Sequence, residues 1–303
     1  MNSRSARKPL SPLAVFAAGL LSLAAAMGIG RFCFTPMLPL MIGAGQLDVA
    51  GGGWVAAANY AGYLVGAITA ARLGWTATRL AGIALLLTAL LTASMAGVTT
   101  VPAWTAIRFA AGVCSAWAFV GTTVWCLGAL ARLQRPALGT TIYAGVGTGI
   151  AVSGVYCLVA SSLGASATSL WIQLGVLGAL FSLPAWLVLP RVDAQMLSTP
   201  LPSTPLPGEH SKVPAGLRGL LACYAIFGFG YILPATFLPV LARSVVDDPR
   251  LFGLAWPVFG TTAVVSIFVA GWFMRRASRM RVWAVSSAVM GVGVLLPSLW
   301  LSG

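Results

Sequence analysis

The chain has 303 residues, of which 59% are hydrophobic and only 8% are charged, and its mean hydropathy is +0.93. Soluble domains carry about 25% charged residues, so this composition excludes a soluble enzyme and a nucleic-acid-binding domain. The net charge of +13 arises from 18 Lys and Arg against 5 Asp and Glu. These basic residues lie in alternate gaps between apolar runs, as topology signals do in membrane proteins.

Nine apolar runs are long enough to cross the roughly 30 Å hydrocarbon core of a bilayer. They cover residues 14–41, 49–71, 80–97, 104–130, 138–160, 170–189, 217–241, 251–274 and 282–301. The sequence therefore predicts an all-α polytopic membrane protein with about nine transmembrane helices. Residues 1–189 form a six-helix N-terminal bundle, and residues 216–303 form a partial C-terminal bundle of three helices.

A proline- and serine-rich stretch over residues 190–215 separates the two bundles and contains STPLP twice in succession, at residues 198–202 and 203–207. This composition predicts a flexible cytoplasmic linker. With the N-terminus in the cytoplasm, fourteen basic residues face inward and only Arg243 and Arg250 face outward. The positive-inside rule thus places the N-terminus inside and the C-terminus outside. Trp54, Trp104 and Trp171 lie near span ends and are predicted to be interfacial anchors.

The chain contains an internal repeat. A shift of 200 residues places Gly28-x-Gly30 and Leu38-Pro39 on residues 228, 230, 238 and 239, where the same residue types recur. A shift of 204 residues places the turn containing Arg72 and Gly74 on the turn containing Arg276 and Ser278. Both shifts preserve the predicted topology. Parallel repeats about an axis normal to the membrane are typical of one large class of secondary transporters.

The repeat layout resembles the major facilitator superfamily (MFS), whose members carry a G-x3-D-R-x-G-type loop after helices two and eight. Residues 27–41 and 54–67 resemble its bacterial YbfB/YjiJ-type subfamily. The resemblance implies a multi-pass transporter of the bacterial cytoplasmic (inner) membrane, with Arg72, Gly74 and Arg276 in gating turns. Family members have twelve spans, so we expect a C-terminally truncated chain, or one whose missing helices are supplied by another chain.

Two further patterns are similar to family motifs. Arg108 and Gly112 on the fourth span match an R-x3-G pattern whose arginine is linked to coupling or charge handling. Gly145, Gly149 and Gly154 on the fifth span resemble a glycine pattern of antiporters. The same three glycines also form a small-residue face on which helices pack closely, and sliding between transport states would use that face as well.

Arg31 and Arg108 lie well inside apolar runs, and no Asp or Glu lies in any span to pair with them. Each guanidinium either bonds helix-end carbonyls and snorkels, or faces a central aqueous cavity and attracts an anionic or carbonyl-rich solute. Asn59, Tyr60 and Tyr63 on the second span offer further polar groups, and Tyr231 occupies the repeat position of Arg31. These four side chains either line the cavity or join helices through hydrogen bonds.

No catalytic, metal or cofactor site is expected, because the lone His210 lies in the linker, no span holds a carboxylate, and no nucleotide-binding loop is present. The five cysteines lie in apolar segments and are predicted to serve packing.

We predict a secondary active transporter of a small organic solute that works by alternating access. The resemblance implies proton coupling, with efflux favoured. The alternatives are a truncated or partner-dependent chain without independent transport, and a membrane-embedded binding or sensor protein.

Overall fold

A computed structural model describes residues 10–196, 215–245 and 253–300 of the chain. These ranges are helical and contain no strand, which confirms the predicted all-α class. A π-helical segment covers Ala24–Arg31, and a short 3-10 turn covers Met95–Gly97. The α-helices are α1 Pro12–Leu23, α2 Phe34–Gly43, α3 Val49–Ala70, α4 Ala77–Ser94, α5 Val101–Arg132, α6 Ala137–Thr141, α7 Ala144–Ser162, α8 Ala167–Met196, α9 Ala215–Val245, α10 Ala255–Phe273 and α11 Arg279–Trp300.

Eight helical stretches of the described chain are long and apolar enough to cross a membrane. The predicted second span, α3, is not among them, because three consecutive glycines and polar groups such as Asn59 lower its hydropathy. Its 22 residues still extend about 33 Å, enough to cross the hydrocarbon core. Its exposed side chains include Trp54, Leu64 and Ile68, an apolar set suited to lipid.

The first span joins α1, the π-helical segment and α2 into one 32-residue stretch, Pro12–Gly43. The π-turn is visible where the Phe32 amide donates to the Met27 carbonyl, five residues back, at 3.0 Å. Such wide turns displace backbone carbonyls from the regular α-helical ladder and recur at functional sites. The segment therefore presents carbonyl oxygens of Gly30 and Arg31 to other helices.

Helix α8 runs through Pro190 to Met196, so residues 190–196 are helical rather than part of the predicted linker. Two contacts hold this extra stretch. The Thr78 hydroxyl donates to Asp193 Oδ1 at 2.5 Å, and Val192 is buried in the bundle core. Proline removes one amide donor from a helix, a loss that tertiary contacts offset here. The rest of the predicted linker, residues 197–214, lies outside the described residues.

Trp104 and Trp171 are only 2% and 1% exposed and therefore are not the interfacial anchors that the sequence predicts. Both pack in a hydrophobic cluster with Met37 and Met41 of α2, and the Trp104 indole donates to the Met95 carbonyl at 3.0 Å. Trp54 alone of the three is exposed. A position near a span end therefore did not determine whether the ring faces lipid or a neighbouring helix.

Glycines allow α3 and α5 to approach each other closely. A Cβ atom at Gly62 would overlap the Phe109 carbonyl, and one at Gly66 would lie 2.5 Å from the Val113 carbonyl oxygen. The spacing of four residues keeps both glycines on one face of α3. This close approach brings Asn59 on α3 beside Arg108 on α5, which begins the functional cluster.

The last three described helices attach to the others at limited regions. The second half of α9 packs against α2, with Ala235 and Thr236 buried. Helix α10 packs against α7 where Gly147 faces Gly260, and a Cβ at Gly147 would lie 2.7 Å from the Gly260 carbonyl oxygen. The hydrophobic side chains of α11, including Val289, are largely exposed.

Candidate functional site

Arg108 lies in the middle of α5 and is only 1% exposed. Its Nη1 donates to the Gly30 carbonyl at 2.8 Å, and its Nη2 donates to the Arg31 carbonyl at 2.5 Å. Both acceptors lie at the end of the π-helical segment. This geometry matches the first of the two alternatives for Arg108, in which the guanidinium bonds helix-end carbonyls. The two charge-assisted hydrogen bonds join α5 to the first span.

Asn59 is brought to the same place from α3. Its side-chain amide donates to the Arg108 carbonyl at 2.9 Å. Gly112 allows this approach, because a Cβ atom there would overlap the Asn59 carbonyl oxygen. Asn59 Oδ1 is buried and lacks a hydrogen-bond partner in the described structure. The pair Arg108 and Gly112 therefore serves two contacts of α5: the Arg108 guanidinium bonds the first span, and Gly112 makes room for α3.

Arg31 occupies a different environment from Arg108, although the two residues are close. Its side chain is half-buried, and its guanidinium carbon lies 3.7 Å from the centre of the Tyr63 ring. The rings of Phe32 and Tyr60 lie at 5.2 Å and 5.6 Å. Arg31 thus sits in an aromatic enclosure where cation–π attraction partly replaces the water it has lost.

Helix α9 completes the cluster from the other side. The Tyr60 hydroxyl makes a short hydrogen bond with the Thr236 hydroxyl. Tyr231 lies within electrostatic reach of Tyr60 and Tyr63, and its ring centre is 5.9 Å from that of Phe227. Thr236 was not among the predicted site residues, and its one available signal was a hydroxyl two residues before the repeated Leu238-Pro239 pair.

The cluster holds two cations and no acid. The described part of the chain contains Asp48 and Asp193, and both lie at helix ends. Asp48 accepts a hydrogen bond from the Gly51 amide at 2.7 Å, and Asp193 accepts one from Thr78. No group of three His, Cys, Asp or Glu residues that could hold a metal ion occurs among the described residues. The chemistry available at this site is hydrogen-bond donation by guanidinium and phenol groups.

The glycines of α7 contact two different partners. A Cβ atom at Gly145 or Gly149 would overlap the carbonyl of Leu20 or Ala24 in the first span. One at Gly154 would lie 2.7 Å from Cδ of Pro257 on α10. Helix α7 therefore packs tightly on both sides, and the predicted close packing is what the geometry provides.

The predicted gating residues lie in turns, apart from the arginine cluster. Arg72 is exposed after α3, and Gly74 adopts φ +62°, a left-handed conformation that favours glycine. Arg276 is exposed after α10, with its guanidinium carbon 3.9 Å from the centre of the Trp272 ring. The structure thus brings together Arg31, Arg108, Asn59, Tyr60, Tyr63 and Tyr231, and leaves Arg72, Gly74 and Arg276 at separate positions.

Comparison with known proteins agrees with this architecture. Residues 23–302 match the family model described as an uncharacterised MFS-type transporter, YbfB. No curated protein matches the chain.

Proposed function

The chain belongs to the YbfB family of MFS-type transporters, and we propose that it moves a small organic solute across the bacterial cytoplasmic membrane by alternating access. The observation that carries the proposal is the cluster of Arg31 and Arg108 at the meeting point of the first span, α3, α5 and α9. An arginine in the middle of a span costs about 2.5 kcal/mol or more on insertion scales. For Arg108 the Gly30 and Arg31 carbonyls offset part of this cost. For the half-buried Arg31 a solute pathway offsets it, because solute and water replace the lost hydration.

A closed side and an open side support the alternating-access part of the proposal. On the closed side, Thr236 bonds Tyr60, Phe237 approaches Gly53, and Trp256 contacts Phe32 with ring centres 6.4 Å apart. The first half of α9 is different. Leu221, Tyr224 and Phe229 there are 58%, 63% and 71% exposed, and a Cβ atom at Gly219 or Gly228 would meet nothing within 4 Å.

The distribution of basic residues supports a cytoplasmic orientation of the open side. The turns after α3 and α5 contain or adjoin Arg72, Arg79, Arg132 and Arg135, whereas residues 44–48, 97–100 and 163–166 at the opposite ends contain no Lys or Arg. The first half of α9 lies at the basic end, because α9 runs antiparallel to α3 and its second half contacts the start of α3. By the positive-inside rule the pathway opens toward the cytoplasm, with the N-terminus inside.

The packing of α7 on α10 provides the pivot in this proposal. A Cβ atom at Gly260 would overlap the Ala151 amide nitrogen, and the facing Gly147 is equally confined. Because no large side chains interlock where these glycines face each other, one helix can tilt on the other. Rocking about this contact would separate Tyr60 from Thr236 while bringing the first half of α9 toward α3.

Proton coupling and efflux are finer parts of the proposal and rest on the resemblance to the superfamily. No Asp or Glu occurs between Asp48 and Asp193 in the sequence. A coupling proton would therefore use a group other than a carboxylate of the first six spans.

The test compares inside-out membrane vesicles that contain the full chain with vesicles that contain Arg108→Ala. We expect the native chain to accumulate at least one solute from a cytoplasmic extract, measured by mass spectrometry, and Arg108→Ala to lose that accumulation while still inserting. Arg79→Ala is the matched control, because Arg79 is an exposed arginine outside the cluster. Equal accumulation by the native chain and Arg108→Ala would contradict the proposal.

A further inference from the structure

We infer that the solute is a small aromatic monocarboxylate whose carboxylate group binds Arg31, with its ring against the tyrosines of α3 and α9. The inference rests on the proposed transport function and specifies the solute class for the same cluster. Its basis is a local excess of buried hydrogen-bond donors among the described residues, a half-buried Arg31 with no acid beside it, and the aromatic rings around that guanidinium.

Buried donors without acceptors lie beside Phe32 and Phe34, and the Phe34 ring centre is 5.5 Å from the Arg108 guanidinium carbon. Nε of Arg31, Nε of Arg108 and Nε1 of Trp256 are all buried and lack hydrogen-bond partners in the described structure. Phe32 lies 5.2 Å from the Arg31 guanidinium carbon and 6.4 Å from the Trp256 ring centre. A buried donor without an acceptor costs about 1–3 kcal/mol, so this region favours a ligand rich in acceptor oxygens.

Arg31 rather than Arg108 is the group available to that ligand. Both terminal nitrogens of Arg108 already donate to the Gly30 and Arg31 carbonyls, and its side chain is fully buried. Arg31 is half-buried, and one face of its guanidinium rests on the Tyr63 ring. Stacking on a ring leaves the N–H groups at the guanidinium edge, where a carboxylate can accept two parallel hydrogen bonds.

The charge of the cluster and the shape of its walls narrow the class of solute further. A carboxylate needs the edge of one guanidinium, which Arg31 offers, whereas both terminal nitrogens of Arg108 are committed to carbonyls. The second cation, Arg108, repels cationic solutes from the same space. The rings of Phe32, Tyr60 and Tyr63 surround Arg31, and Tyr231 lies within electrostatic reach of both tyrosines. Rings favour an aromatic body in offset or edge-to-face contact.

The experiment measures binding of benzoate, phenylacetate and cinnamate to the purified full chain in lipid nanodiscs, with the corresponding neutral amides as paired probes. We expect saturable binding of at least one carboxylate, followed by tryptophan fluorescence, and no comparable binding of its amide. Arg31→Gln should weaken carboxylate binding about 10- to 100-fold, the range for a hydrogen bond to a charged group. Arg31→Lys should recover only part of that loss, because an ammonium lacks the planar fork.

Arg79→Gln is the matched control, because the Arg79 guanidinium, like that of Arg31, lies against an aromatic ring but outside the cluster. Its guanidinium carbon is 5.0 Å from the centre of the Trp75 ring. Its carboxylate affinity should equal that of the native chain. Equal binding of acids and amides, unchanged affinity in Arg31→Gln, or no saturable binding of any of the three acids would overturn the inference. If Arg31→Gln does not fold, the acid-to-amide comparison on the native chain decides alone.

Proteoliposome counterflow of the same acids separates this inference from the proposed transport function. Binding that depends on Arg31 without counterflow would overturn transport and leave the ligand class intact. Accumulation of neutral or cationic solutes in the vesicle assay, with no binding of the acids, would keep transport and overturn the ligand class.

Discussion

The two copies of the internal repeat place the same glycines in opposite surroundings. In the first copy, a Cβ atom at Gly28 would overlap the Gly149 backbone, and one at Gly30 would overlap the Thr88 side chain. In the second copy, Cβ atoms at Gly228 and Gly230 would meet nothing within 4 Å. The first copy widens into a π-helical segment, whereas the second remains in the α-helix α9. The shared glycines and Leu-Pro pair therefore do not determine the backbone, which differs with the intervening residues and with the neighbouring helices.

The residue at the position of Arg31 also differs between the two copies. Arg31 lies in the aromatic enclosure of the cluster, and the second copy has Tyr231 at that position. The Arg31 guanidinium stacks on the Tyr63 ring, and Tyr231 lies within electrostatic reach of the same tyrosine. A duplicated backbone with different side chains is thus able to build one asymmetric site, with the cation on one half and hydroxyl groups on the other.

The glycine comparison predicts the largest difference between two equivalent substitutions. Gly28→Ala should destabilise the protein by about 3 kcal/mol or more, because the new methyl group meets backbone atoms that cannot rotate away. Gly228→Ala should change stability by less than about 0.5 kcal/mol, as expected for a site with free space. Unfolding in SDS, followed by tryptophan fluorescence, measures both. Equal losses in the two variants would contradict the packing account.

Substitution of arginines sharpens the contrast between the cluster and the gating turn of the second copy. Arg108→Gln should cost about 2–3 kcal/mol, because it leaves the Gly30 and Arg31 carbonyls without their charged donor. Arg276→Gln should cost less than about 1 kcal/mol, the value of an exposed cation–π contact. The same SDS titration measures both, and a larger effect at Arg276 would reverse the comparison.

Two glycines of one helix test the pivot. Gly260→Ala should weaken the packing of α10 on α7 by about 1–3 kcal/mol, because its Cβ would overlap the Ala151 amide. Gly271→Ala, on the same helix, should be neutral, since its Cβ would meet nothing within 4 Å. Disulfide trapping between engineered cysteines on α7 and α10 reports the packing. A trapping yield unchanged by Gly260→Ala would remove the pivot from the mechanism.

The smallest expected effect concerns the closed side. Tyr60→Phe removes the hydrogen bond to Thr236 and should shift the conformational equilibrium toward separation by about 1 kcal/mol. Spin labels on the first residues of α3 and the last residues of α9 measure the distance distribution across this contact. Tyr224→Phe is the control, because Tyr224 is exposed on the first half of α9. An unchanged distribution in Tyr60→Phe would show that the bond does not hold this side closed.

Several site residues could be predicted because each breaks the apolar pattern. Arg31 and Arg108 are the two cations inside spans, and Asn59 is an amide in a helix otherwise suited to lipid. Their partners could not be predicted, because the carbonyl that each side chain reaches depends on helix packing: Arg108 bonds carbonyls at the end of the π-helical segment, and Asn59 bonds a carbonyl within α5. The Gly62-x3-Gly66 pair is a small-residue packing motif in the sequence, and in the structure it forms the close contact that places Asn59 beside Arg108.

The sequence by itself determined that this protein resides in a membrane, that it is helical and that its basic residues concentrate in alternate turns. The reason is that the free energy of placing a segment in lipid depends on the composition of that segment. Tertiary structure decided which face of each helix is buried and which partner each polar group finds. Trp104 was buried against α2, Arg108 was committed to two carbonyls, and Tyr60 was paired with Thr236 from 176 residues away. Such pairings depend on how helices approach one another, and small residues scattered along the chain control that approach jointly.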